Sequence, residues 1–317
     1  MKHFLTCALS VAALPVSALD LALPIDCDLG ETCYIQQFVD HDPTSGASDF
    51  RCGAQTYDTH KGTDFALPTV ADLGNDVSVL AAADGVVFAL RNDMVDAIQG
   101  RDDQAPDVTG RECGNGLVLR HPDGWETQYC HLAQGSVAVA VGDTVVSGQR
   151  IGTIGLSGQT EFPHLHFSVR QNGNVVDPFA ADGATCAGVS DTLWDPDIIA
   201  PAGGMIAVGF APNVPAYTTV KDGLAAAATL SPTQNIVFWG FAHGGLTGDT
   251  LRITIVGPDG PFHTNDFVLD RDQAQLMRAS GRRAPDQGWA TGVYEGRATL
   301  LRDGELIDTR TGTITVQ

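Results

Sequence analysis

The chain has 317 residues, of which 43% are hydrophobic, and carries a formal net charge of −20. That length exceeds one small domain and predicts two, each with enough apolar residues for a core. The acidic excess argues against binding nucleic acid or an anionic membrane through bulk charge, and no segment after the N-terminus is apolar enough for stable membrane insertion.

Residues 1–18, MKHFLTCALSVAALPVSA, join a Lys, a short apolar run and a small-residue site ending at Ala18. This is the pattern of a cleaved secretory signal peptide, which places the mature protein in the periplasm or outside the cell. Cys7 would leave with it. Cys27, Cys33, Cys52, Cys113, Cys130 and Cys186 remain, an even set expected to form disulfides in an exported chain. Residues 19–58 hold the first three and read as a disulfide-tied lead-in. Residues 59–190 show period-2 alternation broken by Asp-Gly and Asn-Gly turns, the signature of an antiparallel β domain. Within them Cys113 and Cys130 close a predicted hairpin that turns at Pro122-Asp123-Gly124, and these two are expected to pair. The polar, acidic stretch 92–112 reads as a long loop over one face. Residues 191–205 contain Pro and Gly and read as a linker. Residues 206–317 return to short strand-like runs and predict a small β-sandwich, in which His243 and His263 stand alone and are expected to be structural or surface residues. The fold class is all-β throughout.

Three short pieces of the β domain carry chemistry. FPHLHFSVRQNG places His164 and His166 two apart on a predicted strand, hence on one face and about 6–7 Å apart. By itself this is a metal site, a catalytic pair or an ordinary strand. DTHKGTDFAL puts His60 and Asp64 four apart around Gly62, which would let the chain bend so that the two side chains converge; an imidazole and a carboxylate are good zinc ligands. TQYCHL ends a strand at His131, with alternation placing Tyr129 on the same face. Catalytic zinc sites use three protein ligands and keep a place for water. His60, Asp64 and one of His164 and His166 make such a set. The other histidine of that pair and His131 are left for acid/base or oxyanion work, a constellation suited to metal-assisted hydrolysis. His121, fixed in extended geometry before Pro122, is expected to be structural.

HKGTDFAL, YCHL and PHLHF, in this order, together with the glycine-punctuated VAVGDTVVSGQRIGTIGLSGQT, resemble the signature of the lysostaphin/LytM-type zinc metallopeptidases. The resemblance covers about residues 50–180. It implies a compact antiparallel β fold with a groove, the duplicated hybrid motif. It also implies Zn²⁺ held by His60, Asp64 and His166, with His131 and His164 acting on the water and on the oxyanion, which of the two does which being open. The implied activity is a zinc endopeptidase hydrolysing peptide cross-links of bacterial peptidoglycan. The rivals are a catalytically silent regulator of the same fold and a secreted protease for Gly-rich peptides. The acidic loop and the C-terminal sandwich depart from the family pattern, and the sandwich is a possible surface for a protein partner.

Overall fold

The structure, a computed structural model, describes residues 19–103, 105–183, 186 and 191–317; the expected signal peptide lies outside the described residues. The strands of the first unit are β1 (Tyr34–Gln37), β2 (Thr63–Ala66), β3 (Ser78–Leu80), β4 (Gly85–Arg91), β5 (Asn115–Arg120), β6 (Trp125–Leu132), β7 (Thr144–Val145), β8 (Arg150–Thr153), β9 (His164–Gln171) and β10 (Asn174–Val176). Eight of them form one antiparallel sheet in the order β1-β2-β9-β6-β5-β4-β7, with β10 beside β9, and β3 and β8 make a separate ribbon. The pleat sorts the two faces. On β9, Leu165, Phe167 and Val169 enter a core shared with Phe65, Leu117, Leu119 and Tyr129, which leaves His164, His166 and Ser168 on the other face.

The lead-in belongs to this unit. Strand β1 pairs with β2, and Leu21, Ile25, Ile35 and Phe38 are buried in the same core. Part of the expected linker belongs to it too. Leu193 and Trp194 lie in that core, and the Leu21 N–H donates to the Leu193 carbonyl; two large apolar side chains are better buried than solvated. The disulfides are Cys27–Cys33, Cys52–Cys186 and Cys113–Cys130. The last joins the ends of the β5–β6 hairpin, whose turn lies at Pro122–Gly124. The described residues of 92–112 form no strand, but they are fastened down. Asn115 bonds both backbone groups of Met94, and the Asp96 carboxylate accepts the N–H groups of Gln134 and Leu156.

The second unit contains β11 (Gly204–Ala211), a five-residue helix α1 (Tyr217–Lys221), β12 (Thr229–Leu230), β13 (Ile236–Gly245), β14 (Thr250–Gly257), β15 (Gly260–Val268), β16 (Gln273–Arg282), β17 (Gly292–Arg302) and β18 (Glu305–Val316). A three-stranded sheet, β11-β13-β16, faces a five-stranded sheet, β12-β18-β17-β14-β15. Met205, Phe210, Phe238, Leu251, Ile253 and Ala298 pack between them, making a sandwich. All ten residues of β13 are buried. Its even-numbered apolar residues fill the sandwich, while Trp239 and Phe241 face outward against Tyr34 and Ala66 of the first unit. His243, on the same side, packs its ring against Tyr34, tilted by 36° with centroids 4.7 Å apart. No helix among the described residues is long and apolar enough to cross a membrane.

Candidate metal centre

Adjacent strands β2, β9 and β6 bring the five predicted residues together. Asp64 on β2 and His166 on β9 are directly paired across the sheet. His60 sits just before β2, after Thr59 in a left-handed conformation (φ 66°) whose N–H is held by the Asp40 carboxylate. Gly62 works differently from the bend expected of it. It has no left-handed backbone; instead, a Cβ there would lie 2.7 Å from His166 Cε1, His166 Nε2 and the Phe167 carbonyl oxygen. The glycine is there to let the His166 ring lie against the backbone.

His131 also reaches the site by an unexpected route. Regular alternation would place it beside Tyr129, and Tyr129 is in the core, where its hydroxyl accepts the Ala82 N–H and its ring meets Phe167. The β5–β6 register shifts between Asn115 and Leu117, and His131 takes φ 65°, a costly conformation for a residue with a Cβ. The kink swings its imidazole onto the opposite face, 4.6 Å from the ring of His164 and 6.0 Å from that of His166.

The hydrogen bonds around the corner fix which ring nitrogen of each histidine carries a proton. His60 Nδ1–H donates to the Phe38 carbonyl at 2.6 Å, so Nε2 is a bare acceptor. The Ser168 hydroxyl donates to the Lys61 carbonyl at 2.7 Å and therefore accepts from His166 Nε2–H at 3.0 Å, leaving His166 Nδ1 bare. These two nitrogens and Asp64 Oδ1 converge: His60 Nε2 to Asp64 Oδ1 is 3.2 Å, His60 Nε2 to His166 Nδ1 is 3.1 Å and His166 Nδ1 to Asp64 Oδ1 is 2.8 Å. With both imidazoles neutral, these are three acceptors with no donor among them, and they repel one another unless a cation sits between them. A tetrahedron with ligand bonds of about 2.0–2.1 Å has edges of about 3.3–3.4 Å, close to these separations. The donor set therefore fits a divalent metal ion. Where a proton rather than a metal ion supplies that positive charge, burial raises the Asp64 carboxyl, but the charges of His60 and His164 and the hydrogen bonds from His166 and His60 outweigh it and hold the group well below its usual range.

The two remaining histidines are oriented in the same manner. His131 Nδ1–H donates to the Ser157 carbonyl at 2.8 Å, and His164 Nδ1–H to the Phe162 carbonyl at 2.9 Å. Each keeps Nε2 as its acceptor, and His164 Nε2 lies 3.6 Å from Asp64 Oδ1. Burial pushes both imidazoles down. His131 falls well below its usual value, the charges of His164 and His166 adding to the burial, whereas for His164 the charge of Asp64 works against the burial. His166 is the least buried of the five, so the corner opens to solvent beside it. Ser168 was not singled out in the sequence, although its place two residues after His166 on one strand face would have revealed it. Tyr57, whose ring packs tilted against His60 with centroids 4.5 Å apart, had no such signal. The structural reading of His121 agrees with its bonds to the Asp84 carbonyl and the Thr127 hydroxyl. His263 bonds the Ser280 hydroxyl in the sandwich, away from this corner.

Residues 58–178 match Peptidase family M23. Among curated relatives, the DD-carboxypeptidase/endopeptidase Mpg of Neisseria meningitidis is 33% identical over 123 residues, 39% of this chain and 23% of that protein. The peptidoglycan DD-endopeptidase ShyA of Vibrio cholerae is 32% identical over a segment of the same length and the same shares. The chain thus spans about a quarter of the length of these relatives. Among solved structures, the catalytic domain of lysostaphin from Staphylococcus simulans is 26% identical with a TM-score of 0.27, covering 38% of this chain and 76% of that one. The matched segment contains all five residues of the corner, and the chain carries a Peptidase family M23 domain over residues 58–178.

Proposed function

We propose that the chain is a zinc-dependent endopeptidase that hydrolyses D,D-peptide cross-links of bacterial peptidoglycan. The observation that carries this reading is the corner itself: three convergent acceptors at metal-ligand spacing, with two further neutral imidazoles beside them. Two ring nitrogens and one carboxylate oxygen are a zinc-type donor set, held by His60, Asp64 and His166. When bound, zinc supplies Lewis acidity, polarising a carbonyl and lowering the pKa of water. His131 and His164 do the proton work. A water in the site gives its proton to one of the two Nε2 atoms as its oxygen attacks the peptide carbonyl. The imidazolium so formed then donates N–H to the negative oxygen or to the departing amine. Backbone carbonyls on both Nδ1 atoms keep the rings in the tautomer this requires.

The substrate class is supported by the peptidoglycan endopeptidases among the relatives. Export to the periplasm or beyond is supported by three disulfides, which persist in oxidising compartments. The test is mass analysis of purified peptidoglycan after digestion, alongside metal analysis of the protein. Loss of cross-linked muropeptides, abolished by chelator and restored by zinc, is expected; a zinc-loaded protein that leaves cross-links intact would overturn the reading. His131→Ala is expected to retain metal and lose about 10²–10⁴-fold in kcat, checked by the same two measurements.

A further inference from the structure

The apolar seam between the two units reaches the imidazole corner through one side chain. Phe162 packs on a buried cluster of Tyr34 and Ala66 from the first unit and Ile206, Val220, Trp239 and Phe241 from the sandwich. Its ring lies over His164, with centroids 4.3 Å apart and planes inclined by 22°. Its carbonyl accepts His164 Nδ1–H and also the Thr160 hydroxyl, at 2.6 Å. Ala66, under the same cluster, is the cross-strand partner of His164 itself. A second tie runs alongside. Arg101, in the acidic loop, forms a two-pronged ion pair with Asp222 at the end of α1, and the Gln99 N–H donates to the Thr160 carbonyl at 2.9 Å.

The torsion that turns an imidazole about its Cβ–Cγ bond is broad and two-fold. Rotation by half a turn would exchange Nδ1 for a carbon and carry Nε2 away from Asp64. Stacking on one face together with a hydrogen bond at Nδ1 removes that freedom. We propose that Phe162 is a positioning residue for His164, and that the sandwich serves the site by pressing Phe162 onto that ring. The role of His164 in turnover rests on the endopeptidase reading; its orientation by Phe162 does not.

The test uses the full, zinc-loaded chain. Phe162→Leu keeps most of the volume but cannot stack, and is expected to lower kcat about 10–100-fold, the cost of misplacing a catalytic group. KM should change less than about threefold and zinc content not at all. Phe162→Tyr keeps the ring and is expected to restore kcat to within about threefold of the unmodified chain. Phe241→Ala, remote in the sandwich, should lower kcat in the same direction. A readout independent of activity is the long-range ¹H–¹⁵N spectrum of the imidazoles. His164 should show a single Nδ1–H tautomer in the unmodified chain and exchange broadening in Phe162→Leu, with thermal melts showing the variant folded. Unchanged kcat in Phe162→Leu, or an unchanged His164 spectrum, would overturn the proposal. If the unmodified chain proves inactive on peptidoglycan, the endopeptidase reading fails and the imidazole spectrum alone decides the positioning role.

Discussion

The metal corner and the seam between the two units both bury histidines, and the two regions use them in opposite ways. His243 at the seam is 3% exposed, no less buried than His60 or His164. It is packed as an aromatic ring on Tyr34, with the Gln55 amide at its Nδ1. At the corner every ring has one nitrogen satisfied by a carbonyl or hydroxyl, and in His60, His164 and His166 the other lies within 3.6 Å of the Asp64 carboxylate. Burial therefore does not distinguish a histidine of the corner from a packed one; convergent unmatched lone pairs do. The three convergent acceptors cost stability through electrostatic repulsion, and His131 through its left-handed backbone; an ion bound between the acceptors would offset the first cost.

The sharpest test of this contrast is to break the acceptor set. Asp64→Asn removes the negative charge and places a donor among the nitrogens. Metal content is expected to fall close to zero by elemental analysis, with a loss of activity well beyond the roughly 100-fold typical of a lost supporting partner. Gly62→Ala leaves every ligand in place but drives a Cβ into His166 and the Phe167 carbonyl. Metal affinity should fall by about 10–100-fold, read by competition with a chromophoric chelator; unchanged affinity would show that His166 has room to move.

The smallest effect belongs to the seam. Burial, and then the charges of Arg51 and Arg310, depress His243 to about 3. The unfolded chain takes up this proton near pH 6.5 and the folded chain does not, so stability is fully present above that pH and is lost as pH falls from there towards 3. Between pH 7 and pH 5 the loss amounts to about 2 kcal/mol. His243→Gln should flatten that part of the stability curve by this amount, measured by urea unfolding, and leave metal binding unchanged.

Much of the corner was legible because its signals are local. His60 with Asp64, and His164 with His166, are spaced by the geometry of a turn and a strand, and alternation alone puts His166 and Ser168 on one face. The Cys113–Cys130 pair followed from a hairpin readable in its turn residues. His131 was found as a residue but placed by the wrong rule, since a bulge with a left-handed histidine overrides alternation and no sequence pattern announces it. The linker expected at 191–205 was read from Pro and Gly, while Leu193 and Trp194 within it are core residues. The run IVFWGFA carried a signal that went unused: apolar residues at both parities mark a strand buried on both faces. It told that the sandwich has a second apolar neighbour, though not which one.

The sequence by itself determined the chemistry available: which side chains can hold a cation, which can carry a proton, and an all-β scaffold to present them. These depend on residue type and short-range periodicity. Only the tertiary structure decided which nitrogen of each imidazole is free, how His131 crosses to the site face, and that Phe162 links the sandwich to His164. Those properties come from hydrogen-bond partners and packing neighbours far apart in the chain, such as Phe38 beside His60 or Phe241 in the cluster beneath Phe162, and the order of residues does not encode them locally.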